Sequence, residues 1–263
     1  MAVIAVFSMK GGVGKTTLAV ELARRAAMTS QRSTLLWDLD PQGGAGFLLG
    51  QGEVQRHRAA ALFQREGKPR QLVEPTGLPN LSLLPADPSL RNLPVQLARL
   101  GMRKRLATMT AMLRGEYERI ILDCPAGLGE VSDQVLTAAD LLVVPLPASP
   151  LSSRALDMLR KELVQNHHRH PPILPVLSMF DTRRPLHREV REGLAANWPV
   201  IPLSTHMEQL AVRHEPLESY APKSEAARAL RRMWAGIEAK LAETSQAGRK
   251  LHGPFSAAQA LPA

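Results

Sequence analysis

Cysteine is nearly absent: Cys124 is the one thiol in 263 residues. That excludes an internal disulfide framework and a cysteine-rich zinc site, and it suits a reducing compartment. Aromatic residues are scarce too, at 4% of the chain. None interleaves the basic segments, which argues against a surface that stacks the bases of single-stranded nucleic acid. No stretch of about 18 uncharged apolar residues occurs, and the opening MAVIAVFSMK has no basic region ahead of an apolar stretch. Neither membrane spanning nor secretion is therefore supported, and a cytoplasmic location is expected. A hydrophobic content of 44% excludes a disordered or fibrous chain.

What the chain has is positive charge: 33 Lys and Arg stand against 24 Asp and Glu, a net +9. Such a surplus attracts polyanions before any specific contact forms, although a solvated basic surface also serves solubility. Residues 1–150 hold 17 basic and 13 acidic residues and residues 151–263 hold 16 and 11, so no basic tail explains it. Any nucleic-acid surface has to be assembled by folding.

Short runs rich in Val, Ile and Leu at 3–7, 35–37, 81–84, 120–122, 141–144 and 173–177 alternate with helical patterns at 15–28, 102–113, 152–166, 186–197 and 224–243. Continuous rather than alternating hydrophobicity means strands covered on both faces. The expected fold is therefore α/β: a doubly wound, mostly parallel sheet flanked by helices. Leu230, Met233, Trp234, Ile237 and Leu241 make one apolar face on the last helix. Residues 1–243 read as a single domain. Residues 244–263, dominated by Gly, Pro, Ser and Ala, read as a disordered tail because they have no periodic apolar face to offset the entropy of ordering.

The strongest signal is Lys10-Gly11-Gly12-Val13-Gly14-Lys15-Thr16-Thr17, set between the first strand and a helix. Glycines let successive backbone N–H groups face a phosphate chain. Lys15 can reach the outer phosphates and the Thr16 hydroxyl can ligate Mg²⁺. The general phosphate-loop pattern G-x-x-x-x-G-K-S/T wants glycine where Met9 stands. With that departure, the segment resembles the deviant Walker A loop of the ParA and MinD group of P-loop ATPases, K-G-G-x-G-K-S/T. The resemblance continues through Leu35-Leu36-Trp37-Asp38-Leu39-Asp40-Pro41-Gln42-Gly43, Ile120-Ile121-Leu122-Asp123-Cys124-Pro125, Phe180-Asp181-Thr182-Arg183 and Tyr220-Ala221-Pro222-Lys223-Ser224. The segment D-x-D-P-Q-G favours the ParA branch.

The resemblance implies an Mg²⁺-dependent ATPase whose ATP and Mg²⁺ site uses Lys10, Gly11, Gly12, Val13, Gly14, Lys15, Thr16 and Thr17. Lys10 would cross a dimer interface to the partner's phosphates, so ATP would favour a homodimer. Asp40 is expected to orient the attacking water, with Lys10 and Lys15 completing the catalytic set. Asp38 and Asp123 are expected to support the metal with Thr16, strand-end capping being the competing reading for each carboxylate. Asp181 and Pro222 are expected near the base. Cys124 reads as a structural thiol. His167, His168 and His170 read as an exposed helix end rather than a metal site.

For nonspecific duplex DNA the candidates are Arg183, Arg184, Arg188, Arg213 and Arg231; Arg183 matches the arginine of the family's D-x-R segment. Where chromosomal relatives read I-P-R-N-V-R-L, this chain reads Ile201-Pro202-Leu203-Ser204-Thr205-His206-Met207, so His206 takes the place of a DNA-contact arginine. The expected function is a short ParA-like ATPase without an N-terminal helix-turn-helix, nucleoid-associated and with no membrane partner. A ParB-like or cargo-adaptor protein would stimulate its slow hydrolysis, positioning a plasmid, chromosome or protein assembly. The alternatives are a MinD-like membrane-surface ATPase and an ATP-dependent protein-binding regulator that does not bind DNA.

Overall fold

The computed structural model describes residues 1–52, 58–101, 103–166 and 170–247. Eight strands form one sheet: β1 (Ala2–Val6), β2 (Thr34–Asp38), β3 (Glu74–Pro75), β4 (Leu81–Leu84), β5 (Arg119–Asp123), β6 (Leu141–Pro147), β7 (Ile173–Phe180) and β8 (Val200–Pro202). Their order is β3-β4-β2-β5-β1-β6-β7-β8, and every pair is parallel except the β3–β4 edge. All five residues of β1 are buried, as a strand covered on both faces requires. Val3 and Ala5 face one core layer while Ile4 and Val6 face the other. Pro145 sits in β6 without cost on the β1 side, because that pairing ends at Val143 and no ladder N–H is needed beyond it.

Helices cover both faces. On one lie α1 (Lys15–Met28), α2 (Gly44–Leu48), and, from the far end of the chain, α8 (Thr205–Glu208), α9 (Leu210–Arg213), α10 (Leu217–Tyr220) and α11 (Glu225–Ala247). On the other lie α3 (Leu93–Leu100), α4 (Arg105–Met112), α5 (Glu130–Ala138) and α6 (Pro150–Asn166), with 3-10 turns at Ala59–Phe63, Pro69–Leu72 and Pro88–Asn92. Helix α7 (Pro185–Glu192) follows β7. The five expected apolar positions of α11 are all buried. Its Trp234 indole donates to Ser30 Oγ at 2.8 Å, and Glu238 accepts two bonds from Arg119 at 2.7 and 2.8 Å, tying the last helix to α1's exit and to β5.

Several bounds differ from the sequence expectation. The helix expected from 102 begins at Arg105, and the one expected through 197 stops at Glu192, where Gly193 leaves helical geometry with ψ −106°. Helix α11 continues through Ala247 rather than ending at Glu243. The remainder of the expected tail, together with His167 and His168, lies outside the described residues. Helices α3 and α5, strands β3 and β8, and the short helices α8 to α10 were not expected at all.

Candidate active site

The phosphate-loop segment leaves β1 at the carboxyl edge of the sheet, where ligands of open α/β sheets bind. Gly12 (φ 71°) and Gly14 (φ 87°) adopt left-handed conformations that side chains resist. Gly14 directly precedes α1 and supplies no side-chain cap, so the first-turn N–H groups of that helix remain available to an anion. Lys15 is buried, with its Nζ 3.4 Å from the Lys10 carbonyl. Lys10 is half-buried, and its N–H donates to Ser8 Oγ at 3.2 Å.

Adjacent strands deliver two carboxylates to this loop: Asp38 and Asp123 end β2 and β5 and pair in register, both at 0% exposure. Asp38 Oδ1 accepts from the Asp40 N–H at 2.9 Å and Oδ2 from the Ala45 N–H at 3.0 Å, which fixes the turn carrying Asp40 into α2. Burial and the neighbouring Asp123 charge push the Asp38 carboxyl well above the ordinary range. Asp123 differs, because neither of its oxygens has a full hydrogen bond. Burial drives it up to about 7; the Thr16 hydroxyl and Lys15 pull down, and the Asp40 charge adds to the rise. A buried carboxylate with the Thr16 hydroxyl and Lys15 nearby but no full hydrogen bond suits a cation. Hard oxygen donors, the Asp123 carboxylate and the Thr16 hydroxyl beside a phosphate-binding loop, fit Mg²⁺. Among the described residues no three His, Cys, Asp or Glu side chains form a cage, so the site suits an ion that keeps waters and phosphate oxygens. Asp40 itself is half-buried, and its Oδ1 accepts from the Gln42 N–H at 3.0 Å. Cys124 is buried, and that burial raises its thiol pKa, as for an inert structural thiol.

A pocket of about 170 Å³ opens beside the loop, walled by Gly14 and Thr17 on one side and by Ser178, Met179, Pro202 and Leu203 on the other. The Ser178 hydroxyl is buried with no partner, and Met179 holds a left-handed φ of 53°, strain of the kind that clusters at ligand sites. Asp181 and Pro222, expected near the base, do not line this pocket. The Asp181 carboxylate is gripped by Arg183 through two bonds of 2.9 Å, which holds its pKa down at about 2. The Pro222 carbonyl accepts from Arg231 at 3.0 Å. Sequence reading missed Ser178 and Met179 because neither residue type signals a ligand. The legible cue was Ile201-Pro202 at a strand end, weighed there only for a missing arginine.

The five arginines expected at DNA fall into two groups. Arg183, Arg184 and Arg188 share the β7–α7 turn and α7, where Arg188 also donates to the Thr182 carbonyl at 2.7 Å. His187 Nδ1 accepts the Asp181 N–H at 3.0 Å and so braces that turn. Arg213 and Arg231 lie on α9 and α11. Arg213 stacks 4.9 Å above the Tyr220 ring, and Arg231 pairs with Glu218.

A protein-family model described as an AAA domain matches residues 1–174. The chromosome-partitioning ATPase Soj of Thermus thermophilus is 33% identical over 252 residues, covering 91% of this chain and 96% of Soj. The chromosome partitioning protein ParA of Myxococcus xanthus is 31% identical over 236 residues, covering 84% and 82%. Among solved structures, a Mycobacterium smegmatis protein described as cobyrinic acid a,c-diamide synthase with bound ADP and magnesium superposes with a TM-score of 0.74 at 27% identity, covering 97% of this chain and 99% of that one. A glycine loop that departs from the general pattern at Met9, a buried carboxylate pair at the adjoining strand ends and this likeness along nearly the whole length together place the chain in the ParA/MinD-type family of P-loop ATPases.

Proposed function

We propose that this chain binds ATP with Mg²⁺, dimerises in that state, holds duplex DNA without sequence preference, and hydrolyses ATP slowly until a ParB-like or cargo-adaptor protein stimulates it. The observation that carries the nucleotide part is the orphaned Asp123 carboxylate beside Thr16 and Lys15. In this reading the loop from Lys10 to Thr17 wraps the phosphates with its N–H groups, and Lys15 neutralises the outer ones. Thr16 would hold Mg²⁺, with Asp38 and Asp123 supporting it through water, and the ion bound there would supply positive charge beside the phosphate oxygens. Asp40 sits on the turn fixed by Asp38 and orients the attacking water. Lys10 is delivered to a partner's phosphates, so dimer formation and transition-state stabilisation share one residue. The base enters the pocket beside Ser178 and Met179, where the free hydroxyl offers a polar contact. Arg183, Arg184 and Arg188 supply phosphate-backbone contacts, with Arg213 and Arg231 as a second set, and the protein is nucleoid-associated in the cytoplasm. Among the described residues no helix is long and apolar enough to cross a membrane.

One observation favours the reading as a protein-binding regulator without DNA. Arg183, Arg188, Arg213 and Arg231 are each already engaged within the chain. Retention of Asp40→Ala protein on random duplex DNA, with ATP·Mg²⁺, ADP·Mg²⁺ or no nucleotide across a salt series, decides between them. A dimer that appears only with ATP and binds DNA with a steep salt slope is expected. A dimer indifferent to DNA at all salts favours the regulator.

A further inference from the structure

The positive charge is concentrated in one sector. Residues 58–114 carry ten Lys and Arg against three Asp and Glu, +7 of the chain's +9. The sector is one layer: Gln96 donates to the Ala60 carbonyl, the buried Arg105 to the Leu62 and Gly67 carbonyls, and Arg70 to the Met112 carbonyl. Apart from β3 and β4, which belong to the sheet itself, it packs on the face opposite α1 and α11, away from Arg213 and Arg231.

Within it, α3 has two stripes. Leu93 and Leu97 are buried in the core, while Asn92, Val95, Gln96, Arg99 and Leu100 point outward and, with Gln64, line an open groove of about 690 Å³. Val95 is 55% and Leu100 40% exposed, an apolar floor that gains nothing from water. Arg99 lines the groove itself, and exposed Arg65 and Arg91 adjoin the lining residues Gln64 and Asn92 in the chain, with exposed Arg103 and Lys104 just past the left-handed turn at Gly101. Arg70 is paired with Glu116; Arg65, Arg91, Arg99 and Lys104 hold no carboxylate among the described residues.

From this juxtaposition we infer that the α3 groove is a docking site for an acidic amphipathic helical segment of a partner protein. Its apolar stripe would cover Val95 and Leu100, and its carboxylates would meet the arginine rim. A nucleic-acid duplex satisfies the rim alone, because a rigid phosphate backbone makes no use of an apolar floor. The binding is independent of the nucleotide site and of the DNA contacts proposed above.

The test uses the full chain and a fluorescein-labelled synthetic helix of about 15 residues, leucines on one face and glutamates elsewhere. Its isomer with dispersed leucines and a short random duplex serve as comparisons, each read by anisotropy. The amphipathic peptide is expected to bind at least about tenfold more tightly than its isomer, with Arg99→Glu weakening it about tenfold and Val95→Ser several-fold. Arg160→Glu, on an exposed face of α6 where it pairs with Asp157, is expected to change nothing. Equal binding of the two isomers overturns the inference. So does absence of binding, indifference to both groove substitutions, or duplex binding that Arg99→Glu abolishes while the peptide stays unbound.

Discussion

Asp123 and Asp87 show how one side-chain type is put to opposite uses. Asp123 is buried with neither oxygen hydrogen-bonded, the setting proposed above for Mg²⁺. Asp87 is buried but satisfied: its Oδ2 accepts the Arg58 and Ala59 N–H groups at 2.7 Å and its Oδ1 accepts the Ser89 N–H at 2.8 Å. Burial alone would raise the Asp87 pKa, yet bonds from Ser89, Ala59 and Arg58 outweigh it and hold the carboxyl below its ordinary value. A depressed native pKa stabilises above the unfolded value near about 4, and that contribution fades as pH falls through the native value. Asp87→Ala is therefore expected to lose about 1–3 kcal/mol at pH 7 in urea unfolding, with the gap to the parent narrowing toward about pH 3. Lys10→Ala is expected to abolish ATP-dependent dimerisation in light scattering while single-protomer nucleotide binding falls less than about tenfold; a dimer unchanged by the substitution removes the lysine from the interface. The phosphate loop was legible at this scale because its chemistry needs contiguous residues of fixed type. The pocket beside it was not, since Ser178, Met179 and Pro202 are ordinary residues that only β7 and β8 bring together.

Among the elements, α1 is both floor and tether of the site. Its Arg24, 1% exposed, donates to Glu21 at 3.0 Å and to the carbonyls of Leu48, His214 and Glu215 at 3.0, 2.7 and 2.9 Å. Those carbonyls sit at the exits of α2 and α9, so one guanidinium satisfies helix ends that α1 itself covers. Arg24→Ala removes the nearer partner of the Glu21 charge, leaving Arg25 at 4.0 Å and the Leu217 N–H at 3.3 Å, and frees three carbonyls, so a loss of about 3 kcal/mol in denaturant unfolding is expected; a loss within about 0.5 kcal/mol would show the network idle. Helix α1 matches its expected span of 15–28 because Gly14 pins its start and the apolar period is unbroken. The eight-residue α3 and nine-residue α5 escaped for lack of length, since two turns barely establish a period. Even so, Pro94 in the first turn of α3 and Gly101 past its end were readable bounds. The strands also reach further than expected: β7 runs on to Phe180, through Ser178 and Met179 of the pocket beside the loop.

Across the whole molecule, the doubly wound sheet was evident from strand composition. The charge surplus within 58–114 was countable in the sequence but hidden by halving the chain at residue 150, which gives nearly equal surpluses on either side; what the fold adds is that α3, α4 and the 3-10 turns of that segment share one core layer. The strand order carries a different consequence, for the protein's birth rather than its working life. β1 lies between β5 and β6, so it waits for residues 119–147 before it has a neighbour on either side. During synthesis the phosphate loop leaves the ribosome ahead of those residues and hangs on an unpaired hydrophobic strand until they follow, a period when such a segment is prone to aggregate. Stalled nascent chains displaying residues up to 116 are expected to retain no ATP on filter capture, and retention by such chains would mean that the loop grips nucleotide without its sheet. The phosphate loop thus becomes competent only after two strands made well behind it arrive at its sides.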